Sequence, residues 1–173
     1  QFGFGLEQVL LSRSGDLHGI INGLDYKVWN PKTDSLLPAN YNKNDLSGKM
    51  ECKRVLQREN GLSSEPKIPL LGLISRLDDQ KGLDLIAGVI DDIMELGVQF
   101  ILLGTGKEKY HQLFTEIGAR YPSRVRINLT FDDRLAHLIE AGADIFLMPS
   151  RFEPCGLNQL ISLKYGTVPV VSR

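Results

Sequence analysis

Asp144-Ile145-Phe146-Leu147-Met148-Pro149-Ser150-Arg151-Phe152-Glu153-Pro154-Cys155-Gly156-Leu157-Asn158-Gln159-Leu160 is the stretch from which the fold is read. Ile145 to Met148 is a short, unbroken apolar run, the pattern of a strand buried on both faces, and Leu157 to Tyr165 has helical character. The turn between them carries one carboxylate, Glu153, beside a helix start where Gly156 allows close backbone approach. In open α/β sheets, ligands bind at such turns, at the carboxyl ends of the strands.

A second turn of the same kind lies upstream. The apolar run Ile68 to Ile74 leads into Ser75-Arg76-Leu77-Asp78-Asp79-Gln80-Lys81-Gly82, and a helix follows. Arg76 and Lys81 sit near a helix N-terminus, whose dipole opposes cations, so an anion such as a diphosphate accounts for both of them. The competing reading is that they pair with Asp78 and Asp79 on a solvated surface.

The rest of the chain extends the alternation of strand and helix. Leu6 to Leu11 reads as the end of a helix, Leu17 to Asn22 as a short strand, and Trp29 to Asn44 as a polar, proline-punctuated loop. Lys49 to Asn60 is helix-prone and stops at Gly61, a C-terminal cap. Leu83, Ile86, Ala87, Ile90 and Ile93 make one apolar stripe, so an amphipathic helix follows Gly82. Strands are expected at Val98–Leu103, Val125–Leu129, Ile145–Met148 and Val168–Val171, and helices at Glu108–Arg120, Arg134–Ala141 and Leu157–Tyr165. The fold class is α/β, a doubly wound parallel sheet.

Composition bounds the function. The 173 residues are 42% hydrophobic and 24% charged, enough for one domain with its own core. Twenty Lys and Arg balance 21 Asp and Glu without a basic block, which argues against nucleic acid as a partner, and the apolar runs are too short to cross a bilayer. No signal peptide is visible in the sequence. Two cysteines, Cys52 and Cys155, suit a reducing compartment more than a disulfide framework. His18, His111 and His137 lack metal-ligand spacing and read as structural or surface residues.

With these motifs in order, the chain resembles the bacterial glycogen synthases and plant starch synthases, retaining glycosyltransferases that use ADP-glucose. The resemblance rests on Gly19 to Asp25, on Ser75-Arg76-Leu77 followed by Gln80-Lys81-Gly82, on Pro149 through Leu157, and on Leu163 to Thr167. It implies the Rossmann-like C-terminal domain of a GT-B type enzyme, with residues 1–22 as the exit from an N-terminal domain and 23–173 as the nucleotide-sugar-binding domain. The opening lysine-glycine-glycine motif of the family has no counterpart here, and neither do the closing helices expected after Arg173. The piece is therefore expected to be a fragment, inactive alone, that joins an N-terminal domain carrying the acceptor site. The implied location is the cytoplasm, or the plastid stroma in a plant.

The resemblance also implies roles. Arg76 and Lys81 hold the diphosphate and stabilise departing ADP, so no metal or cofactor is expected. Glu153 meets the hydroxyls of the donor glucose. Cys155, Gly156, Leu157 and Asn158 offer backbone N–H groups to glucose and phosphate oxygens, with Cys155 a pocket wall and not a nucleophile. Gln80 and Ser150 fall at donor positions of the motifs. Phe131 matches an aromatic residue stacked on adenine, although a Phe ending a strand is ordinarily core. Asn22 matches an asparagine at the domain cleft, and Asn-Gly is equally a tight-turn pair. Gly104-Thr105-Gly106 follows a strand as a nucleotide-facing loop does, but sharp turn geometry alone also calls for such a pattern.

Ile161 stands where many sister enzymes carry a second, ribose-binding glutamate, so ribose recognition falls to backbone groups or Gln159. A mechanism built on two carboxylates is then not available. The resemblance implies front-side transfer, in which the donor phosphate helps deprotonate the acceptor hydroxyl of an α-1,4-glucan. Two other readings stay open. One is another two-domain glycosyltransferase using UDP-glucose or making sucrose or trehalose phosphate, and the other is a non-catalytic nucleotide- or glucan-binding module.

Overall fold

Gly72 stands at the middle of the sheet, in a strand whose side chains feed two separate cores. The computed structural model describes residues 5–172. Gln1 to Phe4 and Arg173, which enter the expectations for the interdomain connection and for the chain's exit, lie outside the described residues. Five parallel strands, β1 (Leu70–Ile74), β2 (Gln99–Leu103), β3 (Val125–Asn128), β4 (Ile145–Met148) and β5 (Val168–Val171), form one sheet in the order β3-β2-β1-β4-β5. The order reverses between β1 and β4, which is the topological switch point of a doubly wound sheet.

Alternation along each strand sends successive side chains to opposite faces. Leu71, Leu73, Phe100 and Leu102 meet Leu83, Ile86 and Ile90 of α3 (Leu83–Glu95) and Phe114 of α4 (Glu108–Arg120). Leu70, Ile101 and Leu103 face the other way, onto Leu56 of α2 (Ser47–Glu59), Leu138 and Ile139 of α5 (Asp133–Gly142) and Ile161 of α6 (Leu157–Lys164). Because both faces are covered, β1 and β2 read as continuous apolar runs. A Cβ at Gly72 would lie 2.7 Å from Ile139 Cγ2, so the glycine lets α5 settle close to the sheet.

Helix ends follow local chemistry. Asp132 caps α5 by accepting from the Leu135 N–H at 2.8 Å, and Gly61 closes α2 with φ +62°, as expected for a C-terminal glycine.

One expectation changes, and two others gain detail. Residues 17–22 form no strand; among the described residues no strand ladder includes them, and an extended segment without a partner ladder is not a strand. The helix before them, α1 (Glu7–Ser12), buries none of its residues. The final strand, β5, is not buried: Val168, Val170 and Val171 are about half exposed, because β4 is its only neighbour among the described strands. The loop over 29–44 is polar but pinned. Buried Asp34 accepts from the Tyr165 hydroxyl at 2.6 Å and bonds His137 Nδ1 at 2.7 Å, while Trp29 stacks on the His137 ring. His137 is thus structural, as its lack of ligand spacing suggests.

Candidate functional site

Both turns singled out in the sequence lie at the switch point, at the carboxyl ends of β1 and β4. The first is a 3₁₀ turn, Asp79–Lys81, ended by Gly82. Gly82 has φ +63°, and a Cβ there would lie 2.0 Å from the Pro149 carbonyl oxygen, so the first turn packs directly against the start of the second. Gly156 opens α6 with φ +73°, which leaves the first N–H groups of that helix, Leu157 and Asn158 included, directed at the space in front of it.

A cavity of about 250 Å³ occupies this crevice. Lys81, Ser150, Glu153, Cys155, Gly156 and Asn158 line it, together with Asn22 and Leu157. The Lys81 ammonium donates to Glu153 Oε1, which also accepts from the Ser150 hydroxyl at 2.8 Å. Both side chains of this ion pair are 23% exposed, so the pair is partly desolvated and meets the cavity with its remaining surface. Asn22 is exposed, and its carbonyl oxygen lies 3.9 Å from Cys155 Sγ.

A second cavity, of about 370 Å³, adjoins the first across Ile74, Ser75 and Asn158. Arg76, Gly104, Thr105 and Phe131 line it. Phe131 is 86% exposed, the opposite of a core phenylalanine. Arg76 is exposed, and its side chain makes no hydrogen bond or ion pair among the described residues. Asn158 donates to the Ile74 carbonyl at 3.1 Å. The Ser75 hydroxyl oxygen is buried without a hydrogen-bond partner among the described residues, an arrangement that costs free energy. In the sequence Ser75 stands out only as part of a motif, and its position between the cavities follows from the strand order.

The acidic neighbours do not take up the two cations. Asp79 is held by Lys107 at 2.6 Å, by Lys109 and by the Tyr110 hydroxyl at 2.7 Å, and these hydrogen bonds hold its carboxyl well below the usual range. Asp78 is kept low by the Gln80 N–H and faces Lys107 at 3.6 Å. The surface ion pairs considered for Arg76 and Lys81 are therefore made by other lysines.

One candidate residue has a different setting from the one expected, and a second has a packing role beside the expected one. Gln80 lines neither cavity; its amide donates to the Phe152 carbonyl at 2.8 Å and ties one turn to the other. Gly104 does line the second cavity, but a Cβ there would lie 1.9 Å from the Ser75 carbonyl oxygen, so close backbone packing by itself requires the glycine. Among the described residues no cluster of three His, Cys, Asp or Glu is arranged to hold a metal, and no helix is long and apolar enough to cross a membrane.

Comparison with known proteins places the chain in a family. Residues 68–173 match the family described as glycosyl transferases group 1. The glycogen synthase of Anaeromyxobacter sp. (strain Fw109-5) is 52% identical over 171 residues, 99% of this chain and 36% of that protein. The glycogen synthase of Fervidobacterium nodosum is likewise 52% identical over 171 residues, 99% of this chain and 35% of that one. The solved catalytic domain of starch synthase IV from Arabidopsis thaliana, bound to ADP and acarbose, matches with a TM-score of 0.91 at 43% identity, covering 98% of this chain and 35% of that one. The chain thus spans about a third of the length of the curated relatives it matches. With the Rossmann-like sheet, the two strand-end turns and these relatives in agreement, the chain belongs to the glycosyl transferases group 1 family and is similar, over nearly all its length, to the glycogen and starch synthases.

Proposed function

We propose that the chain is the donor-binding domain of an ADP-glucose-dependent glycogen or starch synthase, which transfers glucose with retention to the non-reducing end of an α-1,4-glucan. The observation that carries this reading is the pair of adjoining cavities. One holds a carboxylate and an ammonium at a helix start, and the other holds an exposed aromatic ring and an arginine with no ion-pair partner among the described residues. A nucleoside diphosphate sugar has the complementary sequence of parts.

In this reading the adenine stacks on Phe131, and Arg76 and Lys81 flank the diphosphate, with the first N–H groups of α6 completing its cradle. These positive groups are worth most as ADP departs and its charge grows, so they take the place of a metal or cofactor. Glu153 takes the glucose hydroxyls and counters the positive charge that develops on the sugar ring. The glucan acceptor and the catalytic groups that meet it belong to a further domain, proposed to precede residue 23. The cytoplasm, or the plastid stroma in a plant, is the compartment that fits such a substrate. The solved starch synthase, which carries ADP and acarbose, supports the nucleotide and glucan assignments.

The test is calorimetric titration of ADP and of UDP. A preference for ADP that disappears in Arg76→Ala supports both the donor and the phosphate role. Equal binding of the two nucleotides points to a different donor, and ADP-glucose binding by a full-length chain that never extends a glucan primer points to a non-catalytic module.

A further inference from the structure

Lys81 and Glu153 are 72 positions apart in sequence, yet they form one ion pair, so something must set the distance between their two turns. The Ser150 hydroxyl on the cavity side does not do this, because it orients Glu153 from within the same turn. The Gln80 amide supplies one tie between the turns, and a second comes from Arg151, which lines no part of either donor cavity. Its guanidinium makes a two-pronged contact with Asp84, Nη1 to Oδ1 at 2.7 Å and Nη2 to Oδ2 at 2.5 Å, and Nη1 also donates to the Asp79 carbonyl at 2.9 Å. Its own backbone N–H donates to the Gln80 carbonyl at 2.9 Å. One residue thereby holds the 3₁₀ turn that contains Lys81, the first turn of α3 after it, and the strand-end loop that carries Glu153.

We propose that Arg151 is a positioning residue, acting through Lys81 and Glu153 to set the separation of the charge that meets the diphosphate and the charge that meets the sugar. The inference rests on the donor roles given above to those two residues. A planar fork closed on a carboxylate and a carbonyl fixes orientation as well as distance, which a lysine ammonium, a point charge on a flexible stem, does not reproduce. The ion pair is about half exposed on both sides, so it contributes little to global stability. Its effect falls instead on catalysis, where small displacements of charged groups cost large factors in rate.

The experiment compares Arg151→Ala and Arg151→Lys with Arg120→Ala in the full enzyme polypeptide. Arg120 makes a similarly exposed pair with Asp91, neither of which lines a donor cavity, and serves as the control. Both Arg151 variants are expected to lose about tenfold or more in kcat for primer extension, with the KM for ADP-glucose changed less than about threefold and Tm within a few degrees of wild type. Arg120→Ala is expected to keep wild-type kcat. Amide hydrogen exchange at Gln80, Lys81 and Gly82 should quicken in both Arg151 variants and stay at the wild-type rate in Arg120→Ala. Wild-type kcat in Arg151→Lys, or a loss in Arg151→Ala explained entirely by a fallen Tm, overturns the proposal. If the wild-type polypeptide does not extend glucan from ADP-glucose, it is the donor reading that fails. Hydrogen exchange then still decides the fastening: unchanged exchange at residues 80–82 overturns it, and faster exchange supports it.

Discussion

Removing either partner of the Lys81–Glu153 pair should have opposite consequences for ADP. Lys81 has two claims on its ammonium in the proposed complex, the Glu153 carboxylate and the diphosphate. Lys81→Ala deletes a hydrogen bond to a charged group, worth about 1.5–3 kcal/mol, so ADP should bind about 10- to 150-fold more weakly. Glu153→Ala deletes only the competitor. The pair is 23% exposed on each side, and freeing the ammonium for phosphate should leave ADP affinity unchanged or raise it by up to about fivefold, equivalent to about 1 kcal/mol. Turnover should fall in both variants, and in Glu153→Ala it should fall far more than ADP affinity does. Without Glu153 the sugar loses its carboxylate at the moment charge develops, and kcat for glucan extension should fall by about 10² or more. Calorimetric titration of ADP into wild type and both variants, paired with steady-state primer extension, reads the two effects separately. Equal losses of ADP affinity in the two variants, or a greater loss in Glu153→Ala, would refute the division of labour.

Other consequences follow from particular contacts. Phe131→Ala should leave Tm within about a degree, since the ring is 86% exposed, while weakening ADP by the ~1–3 kcal/mol that base stacking on an aromatic ring contributes. Unfolding curves and calorimetry on one sample check both. Gly82→Ala should destabilise by at least the ~1–2 kcal/mol of a left-handed backbone, because the added Cβ would also meet the Pro149 carbonyl at 2.0 Å, and urea unfolding measures this. Burial raises buried Glu140 from 4.5 to about 8, so the folded state keeps a proton that the unfolded chain releases, and stability should fall as pH rises from about 4.5 to 8. Burial lowers Lys49 from 10.5 to about 8, so stability should recover between about pH 8 and 10.5, where the unfolded chain holds the extra proton. Glu140→Gln keeps an acceptor for Ser162 but cannot ionise. Its denaturation midpoints should not show the fall, and persistence of the wild-type slope would place the titration elsewhere.

Most of the architecture is legible because local patterns and tertiary burial agree. Runs such as Leu70 to Ile74 and Phe100 to Leu103 are apolar on both faces because the sheet is covered on both faces, and the stripe from Leu83 to Ile90 spaces itself as a helix must. The misreadings occur where pairing decides. Leu17 to Asn22 has the composition of a strand without a neighbour, and Val168 to Val171, a strand as expected, stays half exposed beside a single partner strand among the described ones. Polarity also misleads over residues 29–44, where Asp34 is buried against His137 and Tyr165, more than 100 positions away.

The candidate site divides in the same way. Chain chemistry alone marks a glycine-softened helix start with a carboxylate, a second turn with two cations, and an order of motifs that names a family. These are properties of neighbouring residues, which backbone geometry and charge make readable over a few positions. The chain does not record which cation meets which anion. Lys81 takes Glu153 and leaves Asp79 to Lys107 and Lys109; Arg76 keeps no ion-pair partner among the described residues; Gln80 and Arg151 become fasteners between turns; and Phe131 stays in solvent. Each of these depends on distances between segments brought together by the crossovers of the sheet, and a contact of a few ångströms across 72 residues is decided only when both cores have packed.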